Sequence, residues 1–470
     1  MHYWQIKRDF VSLFNRNDAT ENHFDPIDGL RAIASLLIIC CHIVPIFGIF
    51  VQSYPDVQWQ EYLNSVAFAL MPLMNSGLEI FFVLSAFLLI HKLIKEWEND
   101  DGSHQWFLQQ YPMSLLKRAL RFWPGILLAT IIMFIFGEHR HVVDADNNSP
   151  CMIYLSIWLF FQNYIDHDRW LCSLSPLWTI SLDVQIHIIL PLLFYFLYSC
   201  RKYISVYNSL AILLLVSIVR SMLVFDPVIM PVISSILRYH TLLLVTPKYV
   251  CSWLQSNYNM TLPFECLQSN PLKLLMHKLY FPLEARLGSF IIGAMVAIKI
   301  AQVSHEQGQY STWKKFFIFN MIFLYSLLTV TQRLDSPNLS EFALNFTIAT
   351  SRTILAISVA FILFTAICPP MHSYHAPWIR LFLSSRIWIP ISKLSYLAYL
   401  IHWPITFEMV FGGPLLFLKK YSVSYALIIS LPIILFISQI VSCIWFLLIE
   451  KPFERFIHQY LSTKKSKKIH

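Results

Sequence analysis

The sequence predicts an all-α polytopic membrane protein with about ten transmembrane helices and both termini cytoplasmic. Three observations carry that expectation. Of its 470 residues, 56% are hydrophobic and only 13% charged, with mean hydropathy +0.55; a soluble chain of this length needs more charge to cover its surface. Apolar runs approaching the roughly 20 residues that cross hydrocarbon recur along the chain. The loops between them alternate between basic and acidic, as the positive-inside rule requires.

The first run, 28–50, follows a polar segment, 1–24, that has no cleavable signal pattern. It is therefore expected to act as an uncleaved anchor. Further runs lie at 66–93, 122–137, 176–199, 204–225, 284–303, 316–331, 345–368, 391–415 and 424–449. Run 122–137 is short and is expected to extend in one direction. Stretches 152–162 and 227–247 are short or interrupted, and are placed in large outer loops near 138–175 and 226–283. With the N-terminus inside, the inner loops hold Lys92, Lys95, Lys117, Arg118, Arg121, Arg201, Lys202, Lys299, Lys314, Lys315, Arg380 and Arg386. A basic tail, 456–470, adds Lys464, Lys465, Lys467 and Lys468. Asp144, Asp146, Asp166, Asp168, Asp335 and Glu341 fall outside. An even number of spans returns the C-terminus to the cytoplasm, and 25–455 forms one transmembrane domain.

The net charge of +8 is accounted for by these inner loops. No basic stripe interleaved with aromatics points to nucleic acid. The nine cysteines form no CxxC pattern, and no ligand cluster asks for a metal. Cys151 and Cys172 share one outer loop and Cys251 and Cys266 the other; each pair is either a disulfide or two free thiols.

Ionisable residues inside the runs are expensive in lipid and so mark candidate function. Arg31 and His42 are separated by ten residues in the first run, about 16 Å along a helix. One can lie at a membrane face while the other sits near mid-bilayer. Glu79, Asp183, His187 and His402 fall at comparable depths in their own runs, which suggests a shared polar cavity. His187 is read first as a packing histidine bonded to a backbone carbonyl. Ser85 is read as a helix-packing serine, and Tyr396 and Tyr399 as interhelical packing. Arg118 and Arg121 are three apart and share a helix face, where two planar guanidiniums suit phosphate.

Five blocks, in order, resemble the acyltransferase family 3 membrane proteins, over most of 25–455. Arg31 and His42 match that family's Arg-x10-His signature. Gly77-Leu78-Glu79-Ile80-Phe81-Phe82-Val83-Leu84-Ser85-Ala86-Phe87-Leu88 resembles its Gly-x-Asp/Glu-x-Phe-Phe-Val-Leu-Ser-Gly-Phe-Leu block. Arg118-x-x-Arg121 before Pro124 resembles its Arg-x-x-Arg motif. Trp178 to Gln185 resembles its Trp-Ser-Leu-x-x-Glu-x-Gln block, and Leu394 to His402 with Glu450-Lys451-Pro452-Phe453 resemble the late blocks. Two departures stand out: Ala86 replaces the usual Gly, and Asp183 the usual Glu. Cys172, Trp178, Asp183-x-Gln185 and Arg286-x-Gly288-x4-Gly293 are closer to the nose-resistant-to-fluoxetine-like branch.

The resemblance implies transfer of an acyl group, expected to be acetyl, from cytoplasmic acetyl-CoA to a hydroxyl of an extracytoplasmic acceptor, expected to be a glycan. Arg31, Arg118 and Arg121 would hold the CoA phosphates. His42 would act as general base or acyl carrier, with Glu79 orienting it. Asp183 and His402 would stand on the acceptor side. A bacterial inner membrane is expected ahead of a eukaryotic endomembrane. The rival class is a proton-coupled transporter or flippase, since intramembrane His and Glu serve proton coupling equally well; against it, the sequence has no inverted repeat.

Overall fold

The computed structural model describes residues 3–16, 24–52, 70–98, 110–135, 155–164, 175–201, 205–223, 282–303, 341–370, 375–411, 413–415, 417–418 and 421–466. These residues form helices and turns, without strands. In order they are α1 (Tyr3–Phe14), α2 (Asp25–Gln52), α3 (Ser76–Glu98), α4 (Tyr111–Ile135), α5 (Trp178–Ser199) and α6 (Val206–Leu223). Then come α7 (Leu287–Val303), α8 (Glu341–Ile367), α9 (Pro377–Leu383), α10 (Trp388–Phe411), α11 (Val423–Trp445) and α12 (Lys451–Ser466). A π-helical segment, Phe446–Glu450, joins α11 to α12.

Five segments are long and apolar enough to cross a membrane: Asp25–Val44, Ser76–Trp97, Trp178–Ser199, Thr350–Ile367 and Ser424–Ile457. Val206–Ser221 and Leu287–Val303 are shorter apolar helices. The fold is that of a helical, multi-pass membrane protein. Run 316–331, the stretch 227–247 and Cys151, Cys172, Cys251 and Cys266 lie outside the described residues.

Run 122–137 extends toward its N-terminal side, as expected, in a helix that begins at Tyr111 and takes in Lys117, Arg118 and Arg121. Within 152–162, the described residues form one helical turn, Leu155–Trp158, which leads into a 3-10 turn, Gln162–Tyr164. Phe160 there takes a left-handed backbone (φ 59°), and its carbonyl accepts from Gln185 Nε2 at 2.8 Å.

Six helices pack side by side in the order α11, α10, α2, α3, α7, α8. α4 packs on α10 and α5, and α5 packs on α3. The helices α2, α3, α5, α4 and α10 therefore close a five-membered ring. Two glycines let its neighbours approach. A Cβ on Gly77 would stand 2.6 Å from the Ala34 carbonyl and 2.7 Å from Ile38 Cγ1, and one on Gly293 would strike the Val83 carbonyl.

The helices are staggered. α2 and α10 run parallel, as successive contacts show: Ser392 with Asp28 (3.3 Å), Ser35 with the Ser395 carbonyl (3.4 Å), His42 with His402 (2.7 Å). α3 begins beside the middle of α2, where Gly77 meets Ala34 and Ile38. α5 begins beside the middle of α10, where Tyr399 Oη donates to the Pro176 carbonyl at 2.8 Å. α7 begins level with α3, since Arg286 and Ser289 both reach Glu79. At the opposite end α1 is clamped on the bundle: Arg455 of α12 donates to Asp9 at 2.7 and 2.8 Å, and Lys393 of α10 to the Ser12 and Asn15 carbonyls, both at 2.5 Å.

Candidate active site

The helix ring encloses a polar cluster. Arg118, on the first turns of α4, meets Asp183 of α5 through Nη2 at 2.6 Å and Nε at 2.8 Å. Ser85 of α3 donates to the other oxygen of that carboxylate at 2.5 Å. His187, one turn along α5, places Nδ1 2.7 Å from the Asp183 carbonyl and 3.7 Å from its carboxylate. Arg31 of α2 lies within the electrostatic reach of Arg121, Arg118, Asp28 and Asp183. Arg121 is exposed and interacts with the carboxylate of Glu450 in the π-helical segment. Tyr396 of α10 donates to the Phe122 carbonyl at 2.8 Å and completes the wall.

The three arginines expected to act together are thus gathered: Arg31 lies six residues into α2, and Arg118 and Arg121 seven and ten residues into α4, level with the middle of α3. Ser85 is nine residues from the start of α3 and thirteen from its end, about 14 and 20 Å respectively. The cluster sits inside the bundle. Arg118 is committed to Asp183 through two donors of its guanidinium fork, while Arg121 is solvent-exposed yet within electrostatic reach of Arg31. Asp183 is the counter-charge of Arg118. The shorter carboxylate fits because the long Arg118 side chain spans the gap from α4.

A second polar group lies further along α2 and α10. His42 Nδ1 is 2.7 Å from His402 Nε2, and the two rings are nearly parallel (7°), with centroids 5.0 Å apart. Trp403 stands edge-on to His42 at 5.1 Å. His402 is fully buried, whereas His42 is half-buried. Tyr399, one turn before His402, bonds Thr179 at 2.7 Å. Ile38 marks the start of α3 on α2, and His42 lies one turn past it, so the pair sits just beyond the ends of α3 and α5. Arg31 and His42, eleven positions apart on the continuous helix α2, are separated by about 16 Å along its axis.

Glu79 was expected to orient His42. The structure gives one of its oxygens to Arg286 and the other to Ser289 Oγ, and gives His42 the ring of His402 instead. Both partners of the Glu79–Arg286 pair are buried, and Arg286 also stacks near Phe82 (5.9 Å) and Trp178 (5.5 Å). The pair ties α3 to α7 and lines the base of α5. Ser85, read as packing, is a ligand of the Asp183 carboxylate. Arg286 carried a readable signal, because it is an arginine inside an apolar run, and such a residue seeks a buried anion.

At the rim, Tyr164 Oη donates to Glu284 at 3.1 Å, and Arg220 holds the same carboxylate at 3.0 Å. Burial, then the Glu284 charge, raise the phenol above its ordinary pKa.

The chain matches the family model described as an acyltransferase domain over residues 25–451. It is 27% identical over 172 residues to peptidoglycan O-acetyltransferase OatA of Listeria monocytogenes; that alignment covers 35% of this chain and 23% of the relative. No solved structure matches it. With a match across nearly its whole length, the chain belongs to acyltransferase family 3.

Proposed function

We propose that this enzyme transfers an acetyl group from acetyl-CoA, bound from the cytoplasmic side, to a hydroxyl of an extracytoplasmic glycan. One observation carries the reading. A single continuous helix, α2, places Arg31 in a cationic cluster with Arg118 and Arg121, and places half-buried His42 about 16 Å further along. That separation is comparable to an extended pantetheine arm between the phosphates and thiol of CoA. The guanidiniums suit the phosphates, and an imidazole suits the thioester end.

In this reaction His42 removes the proton of the acceptor hydroxyl as its oxygen attacks the thioester carbonyl. The tetrahedral intermediate collapses with cleavage of the C–S bond. The departing thiolate then takes the proton from the imidazolium, so His42 returns to its starting state. The stagger of the helices supports access from the acceptor side, because His42 stands beyond the starts of α3 and α5. A peptidoglycan-type glycan is the first acceptor to try, since the relative named above acts on peptidoglycan.

The test uses protein in vesicles with acetyl-CoA labelled on the acetyl carbon. Thiol release and label transfer are followed with glycan acceptors, for wild type and His42→Ala. Loss of transfer with retained CoA binding is the expected outcome for the variant. A wild type that neither binds nor turns over acyl-CoA would return the intramembrane histidines to a proton-coupling role.

A further inference from the structure

His402 is the buried member of the histidine pair, and its surroundings dictate where its proton lies. Its Nδ1 stands 2.5 Å from the Tyr399 carbonyl. A carbonyl oxygen only accepts, so Nδ1 must carry the hydrogen. A lone pair at that nitrogen would face oxygen lone pairs at hydrogen-bond distance. A neutral imidazole has a single N–H, so Nε2 of His402 is left as an acceptor. His42 Nδ1, 2.7 Å away, must then be the donor. The unprotonated nitrogen of His42 is therefore Nε2, on the side of the ring away from His402.

We infer that His402 is a positioning residue that fixes His42 as the Nδ1–H tautomer and so presents Nε2 as the base. This inference rests on the acyl-transfer reading above and deepens it. The relay runs from the α10 backbone through His402 to His42. In it, His402 takes the place that a carboxylate holds beside other catalytic histidines. When His42 accepts the hydroxyl proton at Nε2 it becomes an imidazolium, and its Nδ1–H bond to His402 strengthens. His402 keeps its own proton throughout and exchanges nothing with substrate. Thr406 Oγ1 donates to the His402 carbonyl at 2.6 Å, and Trp403 packs edge-on to both rings, so the dyad is held from several sides.

Two amide substitutions separate the two nitrogens of His402. His402→Gln can keep an acceptor near the position of Nε2. His402→Asn keeps a polar group near Nδ1 only, and leaves His42 without a partner. Acetyl transfer from acetyl-CoA to a peptidoglycan glycan-chain fragment is measured for both variants in vesicles. The expected result is a kcat within about tenfold of wild type for His402→Gln and a loss of roughly a hundredfold for His402→Asn, with KM for acetyl-CoA unchanged in both. Equal losses, or a change confined to KM, overturn the inference. A second readout needs no folded variant of His402. Nitrogen-15 NMR of histidine-labelled wild type, with the His42 signals assigned through His42→Gln, is expected to show a protonated Nδ1 and a bare Nε2. The opposite tautomer overturns the inference. An inactive wild type would sink the acyl-transfer reading instead, while the NMR result still decides the role of His402.

Discussion

Glu79 and Arg286, 207 positions apart, meet as a buried ion pair that fastens α3 to the start of α7. Ser289 completes the shell around the carboxylate. Taking one partner from a buried pair leaves an uncompensated charge, at a cost of about 3–5 kcal/mol. Glu79→Leu should therefore lower the thermal unfolding midpoint in detergent markedly, and Glu79→Leu with Arg286→Leu should recover much of the loss. Folded Glu79→Leu should bind CoA as wild type does. Normal melting with a collapsed kcat would instead return Glu79 to the chemistry of His42.

Arg118 directs its Nε and Nη2 donors to Asp183. Asp183→Asn releases that charge. CoA affinity, read by calorimetry, should rise roughly fivefold, corresponding to about 1 kcal/mol for one partly screened charge. Weaker binding would show that Asp183 itself serves the donor site.

Arg121 is the exposed arginine of the three, with Glu450 as its neighbour. Arg121→Ala should raise KM for acetyl-CoA about tenfold or more and leave kcat near wild type, as expected for losing a charge-assisted bond of about 1.5–3 kcal/mol made equally in ground and transition states. A fall in kcat alone would contradict a purely phosphate-binding role.

Gly293 has no room for a methyl group, because the Val83 backbone occupies the place. Gly293→Ala should destabilise the α3–α7 contact by about 1–3 kcal/mol, seen as a lower unfolding temperature. Gly288→Ala is the internal control: its Cβ would meet Thr353 Oγ1 at 3.0 Å, a side chain with some freedom to yield. Equal effects at the two sites would contradict the helix-contact explanation.

Much of this architecture was legible in the amino-acid pattern, for a physical reason. Apolar runs must be helical in lipid, so α2, α3, α5 and α11 could be placed from hydropathy. Intramembrane charges draw attention by their cost, so Arg31, His42, Glu79 and His402 were visible as candidates. Their partners were not, because a charge does not announce which helix will neutralise it. Glu79 could face His42 or Arg286 until packing decided. Asp183 was visible as well, but not that Arg118 of α4 would meet it.

The stagger of α3, α5 and α7 against α2 and α10 also has an electrical meaning. Arg31 lies seven residues, about 10 Å, before the level where α3 begins on α2, while the histidine pair stands beyond it. During the proposed transfer step the phosphates stay at the arginines, and only a neutral acetyl group passes to the acceptor. Carrying a charge across a whole membrane involves about 2.3 kcal/mol for each 100 mV. Moving a neutral fragment involves none, so the transfer step should be indifferent to the membrane voltage.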